Sequence, residues 1–217
     1  MRSRFDRNST LVMGVLAPAL WIAGILVGDR ADDLPNKATD AQVLAWLGAN
    51  KNLTIVAGWL FMTGCLAFIW FAGLLRSRLA EVEGGTHTLS TIGFAGAVAA
   101  AVFGIGTQAE LASAINASDV SAATAGMFHH LGDLFFVGAE LSLIVLLASV
   151  AVLAFRVAAV PRWWGAFSGL IAVVLWIGPI GWAALIFGLP VWTLGTAILL
   201  VRAPRSRTAG ALTEAVA

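Results

Sequence analysis

Between Trp163 and Val201 the chain carries no Asp, Glu, Lys, Arg or His. No water-facing surface is built from such a run. A helix crossing the hydrocarbon of a bilayer, by contrast, needs about 20 mainly apolar residues, because lipid offers no partner for free backbone N–H and C=O groups. The run is nearly two crossings long, and Gly178-Pro179-Ile180-Gly181 is its strong internal turn signal, so it reads as a tight helical hairpin. The rest of the chain agrees: of 217 residues 59% are hydrophobic and 12% charged, against about 25% charged in soluble domains. This excludes an ordinary soluble enzyme and a disordered tail and, with a net charge of +1, a nucleic-acid binder. The single cysteine, Cys65, lies in an apolar run, cannot form an intrachain disulfide, and reads as a small buried thiol.

The expected fold is an all-α bundle of six transmembrane helices, at about 10–28, 53–75, 89–115, 131–155, 163–178 and 182–201. A short N-terminus (1–9) precedes them and a loosely ordered tail (203–217) follows. Arg2, Arg4 and Arg7 ahead of the first helix resemble a signal peptide. The apolar stretch is longer than the usual h-region and lacks an A-x-A-like site after it, so it is expected to stay as the first crossing. Six crossings place both ends on one side. That side holds Arg2, Arg4, Arg7, Arg76, Arg78, Arg156, Arg162, Arg202, Arg205 and Arg207, and the other only Arg30, Lys37 and Lys51. The bias predicts cytoplasmic termini in a cell membrane, with the lipid bilayer as first partner. With nine Trp and no Tyr, interfacial anchoring falls to tryptophan, and Trp163 and Trp164 beside Arg162 are placed for it.

Thr39-x-x-Gln42 is a capping-box pattern opening a short apolar face of Val43, Leu44, Trp46 and Leu47, read as a small helix lying on the membrane surface, with a lid over a pocket as the alternative. The second outer loop, Asn116 to Phe128, has Ser118 or Asp119 to cap a helical turn. In the third segment Ala97, Ala101, Gly104 and Ala112 form one small-residue stripe, and Gly96, Ala99 and Gly106 another, which suits a helix central in the bundle. Gly24/Gly28 and Gly165/Gly169 have the same spacing and would serve either the bundle or a homo-oligomer. Pro18 and Pro190 are expected to bend their helices.

Ionisable side chains within a bilayer are costly and therefore mark function. Glu110 lies toward the outer end of the third segment; His129, His130, Asp133 and Glu140 follow in the fourth, within an arc of roughly 100° on a helical wheel. Gln108 points the other way and is left out. The two segments share a short outer loop and their polar faces are expected to converge. No Lys or Arg lies in the outer half of any segment, so the three carboxylates must hold a proton, pair with a histidine or bind a cation. The leading expectation is proton- or cation-linked binding or transport at Glu110, Asp133, Glu140, His129 and His130. The alternatives are a divalent-metal enzyme, with His129, His130, Asp133 and Glu110 as ligands and Glu140 as general base, or a purely structural role. His87 lies in a cytoplasmic loop and cannot join them, which also argues against a bis-histidine haem.

The Arg-bearing start into a Gly/Ala-rich first segment, the long polar outer loop, Val160-Pro161-Arg162-Trp163-Trp164-Gly165 before the hairpin, and Pro190-Val191-Trp192 late in it resemble a family of uncharacterised bacterial integral membrane proteins, often actinobacterial, that carry a domain of unknown function. The resemblance implies a six-span bacterial inner-membrane protein and carries over no catalytic residue.

Overall fold

Among the described residues five helical segments are long and apolar enough to cross a membrane: Phe5–Gly28, Lys51–Glu83, Thr88–Ile115, Ala122–Val157 and Ile180–Arg202. They belong to a computed structural model that describes residues 4–35 and 37–202. The expected tail 203–217 and the basic residues Arg2, Arg205 and Arg207 lie outside the described residues. The described chain is all-α: α1 (Arg4–Gly28), α2 (Asp40–Ala49), α3 (Lys51–Glu83), α4 (Thr88–Gly106), α5 (Leu111–Ile115), α6 (Ala122–Val157), α7 (Arg162–Trp176), α8 (Gly178–Ala183) and α9 (Leu189–Arg202), with a π turn, Ala184–Gly188, between the last two.

Several helices outrun the apolar segments that announce them, because caps rather than hydropathy end a helix. α6 starts at Ala122, where the Ser121 hydroxyl accepts from the Thr124 N–H at 3.1 Å, so the cap is Ser121 and not Ser118 or Asp119. α3 continues to Glu83, whose carboxylate accepts from the N–H groups of Leu89 and Ser90 at 2.7 and 2.9 Å and so satisfies the start of α4. Between them Gly84 and Gly85 sit at φ +67° and +61°, a region that costs glycine little.

The predicted hairpin forms, but its first arm is short. Ile177 leaves the helical region (φ −91°, ψ 82°) ahead of Gly178-Pro179, so α7 has 15 residues. That length rises about 22 Å, short of the roughly 30 Å hydrocarbon layer. In the return arm Pro190 lacks the N–H that would bond Ile186, and the wider π turn Ala184–Gly188 falls there. A buried polar chain locks the arms together: Trp192 Nε1 donates to Ser168 Oγ (2.8 Å), Ser168 Oγ to Trp164 O (2.8 Å), and Trp164 Nε1 to Thr196 Oγ1 (2.9 Å). Trp163 is 63% exposed and Trp164 6%, so only Trp163 is free to anchor at an interface. Successive helical residues point about 100° apart, which separates the pair.

α4 lies between α3 and α6. A Cβ on Gly96 would stand 2.8 Å from Ser142 O and 3.0 Å from Leu146 N on α6, whereas one on Gly104 would stand 3.0 Å from Cys65 Sγ on α3. Both small-residue stripes are therefore used, except at Ala112, which is exposed beyond a break in the helix. Gly24 meets the α3 backbone at Ala57 and Phe61, and Gly165 meets Ala151 and Ala154 on α6, so these faces are covered within the chain.

Candidate functional site

The site begins where α4 stops. From Thr107 to Glu110 the backbone closes tight turns, Gln108 N–H to Ile105 O, Ala109 N–H to Gly106 O and Leu111 N–H to Gln108 O, each three residues back rather than four. Every such turn advances the side-chain direction away from an α-helical wheel. Gln108 and Glu110, opposed on an ideal wheel, consequently line one cavity. The chain is held there because Gly58 on α3 leaves the space that Leu111 occupies; a side chain at Gly58 would run into it.

The cavity measures about 340 Å³ and is walled by α1, α3, α4, α6 and the π turn with the start of α9. Its depth is apolar, with Ile25, Phe61, Phe68, Leu143, Leu185 and Leu189 among the walls. Thr54, Thr107, Gln108 and Glu110 are its hydroxyl, amide and carboxylate groups. Thr107 Oγ1 donates to Gly104 O (2.7 Å) and accepts from Gln108 Nε2 (2.9 Å), which leaves the Gln108 carbonyl on the side of Gly58. Trp46 of α2 also lines it, its indole N–H donating to Asp32 O. The capping box at Thr39 and Gln42 is present. The apolar face of α2 turns into protein, with Val43 and Leu47 buried against Ala114 and Ala125, and this favours a cover over the bundle end rather than a helix laid on lipid.

Of the five predicted site residues, two come together. His129 Nδ1 on α6 lies 3.1 Å from Glu110 Oε2, a hydrogen bond from imidazole to carboxylate, with the side chains 31% and 24% exposed. His130 and Asp133 form a separate, looser pair at 4.0 Å, 73% and 78% exposed. An arc of 100° on a helix is wide enough to cover both a bundle-facing and an outer side, and the two pairs divide along it. Glu140 shares the azimuth of His129 but lies three turns further along α6, about 16 Å away. It is 7% exposed, and its Oε1 has no hydrogen-bond partner among the described residues. Its neighbour is Gly181 of α8, where a Cβ would stand 2.8 Å from that oxygen.

The predicted metal ligands His129, His130, Asp133 and Glu110 are thus split into two pairs, and among the described residues no three His, Cys, Asp or Glu side chains converge. Sequence reasoning placed Thr107 on the face of Glu110, wrongly set Gln108 aside and missed Thr54. The available signal was the polar run Thr107-Gln108 directly after Gly104 and Gly106, a place where a helix in lipid loses both propensity and apolar cover. No family model, curated protein or solved structure matches the chain.

Proposed function

We propose that this is a six-span bacterial inner-membrane protein with cytoplasmic termini that exchanges protons at the Glu110–His129 pair, in step with a small solute entering the cavity from outside. The observation that carries the reading is that Glu110 both lines the cavity and accepts the His129 hydrogen bond. A carboxylate and an imidazole in contact share protons readily, and a solute in the cavity touches the same carboxylate. Glu140, buried and with its Oε1 unpartnered among the described residues, suits a second proton position further along α6, since a bare carboxylate there is costly. The sixth crossing is the short α7, whose two ends carry Arg162 and the hairpin turn. The excess of arginine at the ends that include Arg76, Arg78, Arg156 and Arg202 supports the orientation.

Infrared difference spectroscopy of the reconstituted protein tests the chemistry without a known solute. Acidification is expected to raise a carboxylic C=O band that Glu110→Gln removes and His129→Ala shifts, while His130→Ala leaves it in place. An unchanged band in Glu110→Gln would remove the pair from the mechanism. For topology, a reporter fused after Arg202 is expected to be active on the cytoplasmic side, and periplasmic activity refutes the six-span arrangement.

A further inference from the structure

The cavity is chemically lopsided. Its depth is built of aliphatic and aromatic side chains, and its one charged side chain is the Glu110 carboxylate, joined by the Gln108 carbonyl as an acceptor and by the Trp21 indole N–H, which has no hydrogen-bond partner among the described residues. Among the described residues no Lys or Arg lines it, and the basic group that reaches Glu110, His129, occupies Oε2. An anionic head would therefore meet a carboxylate with no cation to offset it, and a neutral head would leave the charge unmatched. A cationic donor would gain a charge-assisted hydrogen bond. At about 340 Å³ the space is also at the lower end of ligand pockets, which run to roughly 300–1,000 Å³.

We infer that the cavity binds a small single-chain amphiphile with an ammonium head, the head on Glu110 and Gln108 and the chain along Phe61, Phe68 and Leu143. This names the solute class for the proposed site and rests on Glu110 being the exchangeable carboxylate. The ammonium ion displaces a proton from the Glu110–His129 pair, so charge in the site is conserved as one leaves and the other arrives. Trp46 covers the head end, placing it under α2.

The test uses the full chain in nanodiscs and radiolabelled octylamine, with empty nanodiscs correcting for partition into lipid. Saturable binding is expected, displaced by unlabelled octylamine and not by octanol or octanoate. Glu110→Gln is expected to weaken it about tenfold or more, the loss of a hydrogen bond to a charged group. Ala139→Phe, which fills the cavity from α6, is expected to abolish it. Equal displacement by all three compounds, or unchanged binding in Glu110→Gln, overturns the ammonium assignment. No saturable binding above empty nanodiscs overturns the cavity as a binding site. The two readings fail separately: a carboxyl band that depends on Glu110 without octylamine binding leaves proton exchange and removes the amine, and binding without that band does the reverse.

Discussion

Trp192→Ala is expected to be the most damaging single truncation in the bundle. The indole is fully buried and donates to Ser168, itself fully buried, which in turn bonds the Trp164 carbonyl. Truncation empties the space between the hairpin arms and leaves the Ser168 oxygen without its donor. Large aromatic truncations in cores cost about 3–5 kcal/mol. Here the unfolded helices remain in lipid, so the water-transfer part is missing and dispersion carries the loss, which places the expected value near 3 kcal/mol. Trp192→Phe keeps much of the ring volume and removes one interhelical hydrogen bond, for which about 1 kcal/mol is expected. Equilibrium unfolding in mixed detergent micelles, read by circular dichroism, gives both values. Equal losses in the two variants would show that the hydrogen bond, not the volume, holds the hairpin.

Gly96→Leu comes next, and its damage is of the opposite kind. The atoms nearest to a Cβ at this position are backbone, Ser142 O and Leu146 N, which have no rotamer by which to retreat. Overfilled cores lose about 1–3 kcal/mol; with backbone as the obstacle the upper value is expected, because α4 and α6 must separate along their contact. The readout is again unfolding, joined by disulfide trapping between cysteines placed on α4 and α6. Gly104→Leu is the informative contrast, since its obstacle is the Cys65 side chain on α3 and the disturbance falls on the cavity wall instead. Intact cross-linking in Gly96→Leu would mean that the α4–α6 contact does not depend on a bare backbone.

What could be read from residue order alone, and what could not, divides along a physical line. The hairpin was legible because 163–201 lacks charge and carries a Gly-Pro turn, both local properties. The central place of α4 was legible for the same reason: small residues repeat at helical spacing whatever surrounds them. The proximity of Glu110 and His129 followed from a short connection between helices that had to be neighbours. The cavity did not. Its polar end depends on turns closed three residues back at 107–110, which rotate Gln108 toward Glu110, and a wheel drawn at 100° per residue carries no information past such a break. Likewise Trp163 and Trp164 look alike in sequence, and only the arrival of Thr196 from the returning arm distinguishes the anchor from the core residue. Glu140 shares an azimuth with His129 on the wheel, and rise along the axis separates the two.

The short α7 bears on the membrane as well as on the protein. With 15 residues it offers lipid about 22 Å of apolar length on one flank, while α3 and α6 on other flanks are long enough to cover the full layer with turns to spare. Trp163 and Trp176, both strongly exposed, stand at the two ends of that short helix, where indoles settle at headgroup level. The thickness demanded by this molecule is therefore uneven around its circumference. In the proposed six-span arrangement a bilayer meeting it dimples beside the hairpin, drawing headgroups toward the turn at Ile177, and such hydrophobic mismatch at a fraction of a kcal/mol per ångström is the kind of force that sorts proteins among membranes of different thickness.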